Sequence, residues 1–363
     1  MTTYLFAGGG TAGHVNPLLA VADALRAREP DAEVLVLGTR EGLEARLVPE
    51  RGYELLFVDK VPFPRRPDRA AAMFPQRFGR AVAQVRRHLR ERRAEVVVGF
   101  GGYAAAPAYV AARRERIPTV VHEANARPGL ANVLGARRAA AVGVAFTGTR
   151  LRGARVVGMP LRREIVDLDP AARREEAAEA FGLDPARPVL LVFGGSLGAQ
   201  RLNESFGDDG GAAWRDVVDA GWQLLHVTGE RSATPDPDVA GYAVRRYVDR
   251  MDLAFALADA VVSRAGAATV SEISALGIPA VYVPYAVGNG EQALNAASAV
   301  AAGAAALILD ADFTAERVRR EVIPLLTDQP RLEAMRRAAA SVGTRSGSEA
   351  VIALIDEALG RGR

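Results

Sequence analysis

The pattern that most constrains this fold occurs twice. Near the start, "YLFAGGGTAGHVNPLLAVADALRA" runs from an apolar stretch (Tyr4–Gly8) through clustered glycines into apolar residues at helical spacing. After Gly182 the series restarts in "PVLLVFGGSLGAQRLNESF", where Gly194, Gly195 and Gly198 repeat the earlier glycine cluster. An apolar strand that meets glycine and turns into a helix is the opening unit of a parallel α/β sheet. The runs that follow are short and nearly all apolar: "EVLVLG", "LLFVD", "EVVVGFGG" and "PTVVHEAN" in the first series. "WQLLHVTG", "YAVRRYV", "ADAVVSRAG", "IPAVYVPY" and "GAAALILD" make up the second. Strands covered on both faces read this way, whereas half-solvated strands alternate. Two doubly wound domains are therefore expected, residues 1–160 and 161–345, and a chain of 363 residues has the length for both. The joint is placed between Val157 and Pro188, around "GMPLRREIVDLDP". Residues 346–363 read as a closing helix, with the first domain as a candidate place to pack. In the first helix, Asn16 is the expected N-cap and Pro17 the first helical residue.

Composition narrows the chemistry. The chain has no cysteine, which excludes disulfides, thiol catalysis and cysteine-held metals. No uncharged apolar run reaches the length of a spanning helix. The first residues lack a basic region and a small-residue cleavage site, so they read as a strand rather than a signal peptide, and a cytoplasmic setting is expected. The net charge of +3 is unevenly spread: Arg65 to Arg93 holds ten arginines against Asp68 and Glu91, a local net of +8.

The first glycine loop admits three readings. Gly8, Gly10 and Gly13 satisfy G-x-G-x-x-G between strand and helix, a geometry that brings backbone N–H groups up to a phosphate. A dinucleotide site also wants an acid at the end of the second strand. That position holds Gly38, Thr39 and Arg40, and only an NADP phosphate would suit the arginine. A bare tight turn is the second reading, although one or two glycines would suffice for it. The third takes account of His14. A histidine in the first helical turn feels the positive end of the helix dipole, which favours a neutral ring able to accept a proton. The second loop, with Ser196 as an added hydroxyl, makes a paired grip on an anionic substrate the stronger reading. Beyond it, Gly266 starts another helix, and Glu272 in its first turns can accept from ribose hydroxyls. Glu291, Gln292 and Asn295 cluster after a buried strand, where sugar hydroxyls would be read.

These stretches, taken in order, carry a resemblance. "GGGTAGHVNP" (Gly8–Pro17), "GFGGYAAAP" (Gly99–Pro107), "HEAN" (His122–Asn125), "GGSLGAQRLN" (Gly194–Asn203), "GAATVSE" (Gly266–Glu272) and "NGEQALNA" (Asn289–Ala296) span nearly the whole chain. The chain resembles the MurG glycosyltransferases of family 28. The resemblance implies a GT-B fold, two Rossmann-like domains with an interdomain cleft, and no cofactor or essential metal. It implies transfer of N-acetylglucosamine from UDP-GlcNAc to the C4 hydroxyl of the muramoyl sugar of lipid I, giving lipid II with inversion. Carried over by position, donor contacts fall on Thr11, Ala12, Gly13, Asn125, Arg162 and Ser196. They continue on Ala268, Thr269, Val270, Ser271 and Glu272, with Gln292 on the sugar and Val248 on the uracil. Ala12, Ala124, Glu291 and the Ser196-Leu197-Gly198 run depart from the residues usual in the family. His14 is the expected base, with Glu123 and His122 as runners-up; His88 and His226 read as structural.

The resemblance also bears on the arginine block. Lipid I sits at a membrane, so Arg65–Arg93, with Met73, Phe74 and Phe78, is expected to meet an anionic lipid surface at the cytoplasmic face. A solvated helix face and a nucleic-acid surface are the rival readings, and no nucleic-acid motif accompanies the block. Proteins of cell-wall synthesis are the implied protein partners. The rival functions are an NADP-dependent reductase, a GT-B transferase of another glycolipid or natural-product pathway, and a sugar-nucleotide binder without turnover.

Overall fold

The computed structural model describes residues 2–64, 66, 68–195, 198–207, 211–285 and 290–361. The chain divides into two compact units, residues 1–162 with 345–363, and residues 163–344. In the first unit, strands β1 (Thr3–Ala7), β2 (Glu33–Gly38), β3 (Glu54–Phe57), β4 (Val96–Gly99), β5 (Thr119–Glu123), β6 (Ala141–Val144) and β7 (Ala154–Val156) form one sheet. The order is β3-β2-β1-β4-β5-β6-β7, and every pairing is parallel. Successive residues of β1 serve opposite faces, as a strand's two-residue period requires. Tyr4 and Phe6 join the core formed with Leu18, Val96 and the C-terminal helix, while Leu5 and Ala7 join the core under Val82, Val85 and Leu89.

The C-terminal helix (Gly347–Ala358) closes the first of these cores with Val351, Ile352, Leu354 and Ile355. Two ion pairs pin its outer face, Arg28–Asp356 at 2.7 Å and Arg155–Glu357 at 2.6 Å. On the other face lies the basic helix (Arg69–Glu91), capped by Asp68, whose side chain accepts from the Ala71 amide. Its buried residues Ala81, Val82, Val85 and Leu89 recur at helical spacing, which leaves the arginines outside.

The second unit repeats the plan with β8 (Val189–Phe193), β9 (Gln223–Val227), β10 (Tyr242–Arg245), β11 (Ala260–Ser263), β12 (Ala280–Tyr282) and β13 (Ala305–Leu307). The order is β10-β9-β8-β11-β12-β13, again all parallel. In both sheets the order reverses direction beside the first strand, between β1 and β4 and between β8 and β11. Open α/β sheets bind ligands beyond the carboxyl ends of the strands at such a reversal. Both glycine loops leave from those points.

The first helix departs from expectation. It runs from Ala12 to Arg28 with Thr11 as N-cap, so Asn16 and Pro17 lie inside it. The amides of His14 and Val15 both bond the Thr11 carbonyl at 3.1 Å. Gly13 and His14 are thus already helical. Pro17 is accommodated because its fixed φ is helical, with the loss of one backbone bond near the helix start.

Candidate active site

On the first unit the site is built from the loops after β1, β4 and β5. His14, on the first turn of its helix, is half-buried, and its Nδ1 lies 3.1 Å from the Gly9 carbonyl and 3.2 Å from Thr11 Oγ1. A carbonyl only accepts, so in the neutral ring the proton belongs on Nδ1 and Nε2 keeps its lone pair. The loop after β4 gives the ring its space. Gly101 has φ +100°, and a Cβ there would lie 2.9 Å from His14 Cδ2 and 3.0 Å from Nε2.

The end of β5 is a buried polar network. Burial first, and the Glu123 charge second, push the Tyr109 phenol well above its usual range, so it stays protonated. It donates to Asn132 Oδ1 at 2.7 Å, which turns Asn132 Nδ2 toward the His122 carbonyl (3.1 Å) and Glu123 Oε2 (2.9 Å). The Glu123 carboxylate also accepts from the amides of Asn125 and Gly129, each at 2.9 Å. It therefore ties down the loop that carries Asn125. His122 is fully buried, with its ring tilted against that of Phe100. Burial lowers its pKa to about 4, its Nε2 donates to the Gly158 carbonyl at 3.0 Å, and its Nδ1 has no partner among the described residues. Glu123 is 2% exposed. Both runners-up for the base thus stand behind the site surface, while His14 stands at it. Thr11 and Ala12 are exposed on the same loop, Gly13 is half-buried, and Arg162 is half-buried at the end of this unit.

Glu44 escaped the reading of the sequence. It is fully buried, and its carboxylate accepts from the Gly10 amide at 2.7 Å, the Thr39 amide at 2.8 Å and Thr39 Oγ1 at 2.9 Å. A Cβ on Gly9, Gly38 or Gly42 would fall within 2.4 Å of this side chain. The loop amide that a dinucleotide phosphate would use at Gly10 is therefore occupied by the protein's own carboxylate. Arg40, the residue offered for an NADP phosphate, lies over the Phe57 ring at 4.2 Å. The dinucleotide reading fails on both observations.

On the second unit the glycine loop is shaped by close approach: a Cβ on Gly198 would come within 2.1 Å of the Thr228 carbonyl. Ser196 lies outside the described residues. The helix Ala267–Ala275 starts at Gly266, and the amides of its first turn, including Ala268 and Thr269, point out of the helix start. Ser271 and Glu272 are half-buried on its next turn, and Val248 is half-buried just beyond β10. Val270 differs, being buried with its amide bonded to the Gly266 carbonyl at 2.9 Å. Gln292 accepts through Oε1 from the amides of Ala265 (3.2 Å) and Tyr285 (2.9 Å), which fixes its carboxamide. Asn295, read as a sugar contact, is fully buried and donates to the Ala265 carbonyl at 3.3 Å; it supports the helix start instead. A cavity of about 750 Å³ is lined by Gly194, Gly198, Arg201, Arg264, Tyr285 and Gln292, among others. Arg264, also missed, is held there by Asp310 and by the Val283 carbonyl at 3.0 Å. Its signal was an arginine ending the apolar run of β11.

The basic helix is sorted by its partners. Arg86 and Arg90 pair with Glu115, and Arg92 pairs with Glu33 and Glu54. Arg66, Arg69, Arg77 and Arg80 have no carboxylate partner among the described residues; Arg65 lies outside them. Met73 is 51% exposed. Phe74 and Phe78 are not exposed as expected, because they stack with each other at 5.4 Å and cluster with Phe63.

Residues 4–144 match the N-terminal domain of glycosyltransferase family 28, and residues 189–351 match its C-terminal domain. The chain belongs to glycosyltransferase family 28. A UDP-N-acetylglucosamine--N-acetylmuramyl-(pentapeptide) pyrophosphoryl-undecaprenol N-acetylglucosamine transferase of Clavibacter michiganensis is 60% identical to this family 28 chain over 360 residues, 99% of this chain and 97% of that one. The enzyme of the same name from Streptomyces coelicolor is 49% identical over 98% of each chain. The crystal structure of Acinetobacter baumannii MurG superposes with a TM-score of 0.80 at 27% identity, covering 98% of this chain and 99% of that one. This family 28 chain therefore has the GT-B fold and is a glycosyltransferase.

Proposed function

We propose that the chain transfers N-acetylglucosamine from UDP-GlcNAc to the C4 hydroxyl of the muramoyl sugar of lipid I, forming lipid II. The observation that carries this reading is the 60% identity, over nearly full length, to an enzyme named for that transfer. The geometry supplies a chemistry that fits. His14 Nε2 takes the proton of the acceptor hydroxyl as its oxygen attacks C1 of the donor sugar. The C1–O bond to the diphosphate breaks, and its electron pair leaves with UDP. A single in-line displacement inverts the anomeric centre without a covalent enzyme intermediate. The second unit meets the leaving charge with the first-turn amides of Ala268 and Thr269 and with Arg264. Glu272 accepts from the ribose, Gln292 presents its NH₂ to the sugar, and Val248 lies beside the uracil. His122 and Glu123 position Asn125 and the β5 end rather than exchange protons with substrate.

The relatives' printed name places the acceptor sugar on an undecaprenyl lipid. Among the described residues no helix is long and apolar enough to cross a membrane. Arg66, Arg69, Arg77 and Arg80, with Met73 among them, support binding to an anionic lipid surface as a peripheral protein of the cytoplasmic face. The test is direct: purified enzyme, labelled UDP-GlcNAc and a lipid I analogue should yield UDP and the disaccharide lipid. His14→Ala should cut turnover by roughly 10²–10⁴-fold with folding intact. Near-normal turnover in that variant would remove His14 from the role of base, and absence of product from the parent would end the assignment.

A further inference from the structure

Glu44 is a fully buried carboxylate that the reaction as derived does not use. We infer that Glu44 is a positioning residue for His14, acting through the Gly9–Gly10 peptide group. The inference rests on the reading of His14 as the base.

The contacts form a chain. Glu44 Oε2 accepts from the Gly10 amide at 2.7 Å, and the carbonyl of that same peptide group, Gly9 O, accepts from His14 Nδ1 at 3.1 Å. A peptide group is planar and conjugated, with N–H and C=O pointing in opposite directions. Negative charge on its N–H side drives electron density toward its oxygen. Chained hydrogen bonds strengthen one another in this way, by on the order of 10–30% per bond. The Gly9 oxygen is thereby a better acceptor for the Nδ1 proton.

Two consequences follow for His14. In the neutral form of the ring the proton is held on Nδ1, so the substrate meets a lone pair on Nε2; the other tautomer would present a donor and could not act as base. When Nε2 takes the hydroxyl proton, the positive ring faces a carbonyl already polarised toward it. A carboxylate bound directly to histidine does this in Ser-His-Asp triads. Here one peptide group stands between the two.

Glu44 stands among hydrogen-bond donors. All three of its contacts are donors, Gly10 N–H, Thr39 N–H and Thr39 Oγ1–H, which suits a group that only accepts. No cation pairs with it among the described residues. It is the first residue of the helix Glu44–Glu50. Its charge is therefore directed at amides, one of which leads to His14.

The test uses the full-length enzyme with ¹⁵N-labelled histidine. The chain has four histidines, and the His14 signals are assigned by their loss in His14→Ala. The parent should show a protonated Nδ1 and a bare Nε2. Glu44→Gln should raise the Nε2-protonated fraction and lower kcat by roughly 10–100-fold, the usual cost of losing a group that orients a functional histidine. The loop that Glu44 holds also carries Thr11, Ala12 and Gly13, expected donor contacts, so the His14 tautomer rather than the donor KM is the deciding readout. Glu44→Asp keeps the charge but draws it back by one methylene, so it should show intermediate values of both readouts. It decides the matter alone if Glu44→Gln does not fold. An unchanged His14 tautomer in a folded variant, whatever happens to kcat, would make Glu44 a brace for the loop only and overturn the inference. If instead His14→Ala turns over normally, the base reading fails, and the tautomer measurement still reports on the chain of bonds.

Discussion

Gly101→Ala should separate the role of His14 from the stability of the loop that holds it. The glycine has φ +100°, where an L-residue is strained by about 1–3 kcal/mol. Its new Cβ would also meet His14 Cδ2 at 2.9 Å and Nε2 at 3.0 Å, and Asn132 Nδ2 at 3.4 Å. Non-bonded carbon atoms rest at about 3.5–4.0 Å, so the ring must withdraw by roughly 0.5–1 Å. Asn132 has little room to yield, since both ends of its carboxamide are bonded. A displacement of this size at a reacting group costs on the order of 10²-fold in rate.

A control with the same backbone strain and no such contact is available in the same unit. Gly148 has φ +81° and nothing within 4 Å of an added Cβ. Both alanine variants should lose thermal stability by roughly 2–12 °C, the shift that 1–3 kcal/mol produces in a unit of this size. Only Gly101→Ala should lose about 100-fold in kcat, with the donor KM within about twofold. Initial rates at saturating donor and acceptor, with a thermal melt of each variant, give both quantities. Equal kcat in the two variants would refute the argument, since the His14 ring would then not need the position in which Gly101 leaves it.

Glu272→Ala should raise the donor KM on the order of 10–100-fold with kcat little changed, the loss of charged hydrogen bonds to ribose; a fall in kcat alone would contradict that role. The double variant Arg69→Ala with Arg80→Ala should weaken sedimentation with anionic vesicles by about 10–30-fold, at about 1 kcal/mol per arginine. Parent binding that ignores both salt and anionic lipid would remove the lipid-surface reading. Stability should fall in acid: burial lowers His122 from 6.5 to about 4 and His226 from 6.5 to about 3. The unfolded chain then binds more protons below pH 6.5. The stabilisation is complete above that pH and is lost as pH falls toward the folded values, by on the order of 3 kcal/mol or more for each residue. Denaturant midpoints that stay flat from pH 7 to pH 4.5 would show that neither ring is held neutral.

The strands that sequence made legible are those whose burial on both faces leaves an unbroken apolar run, such as β1, β4 and β8. β6 and β7 were missed for a physical reason. β6 reads "AVGV", where Gly143 is small because Val157 and Leu354 occupy the space a Cβ would need, and β7 is a three-residue edge strand with exposed residues. An N-cap followed by proline is a strong local signal at Asn16–Pro17, yet the tertiary loop sets helical geometry five residues earlier, with Thr11 as N-cap and Ala12 the first helical residue. At the site, the glycine motif located His14 and "HEAN" located the β5 end. The side chains that orient them come from distant stretches: Glu44 lies 34 residues from Gly10, and Asn132 lies 23 residues from Tyr109. A trace of Glu44 was nonetheless present, in an acid preceded by Gly38 and Gly42 and facing a glycine-rich loop. In its dinucleotide form the motif takes its negative charge from a ligand and wants a partner acid at the end of the second strand. An acid does lie just past that strand, and it supplies the charge itself. Strand, glycine and helix thus specify a set of inward amides without saying whose oxygen they receive, and at Gly10 the oxygen is that of Glu44 rather than a phosphate's.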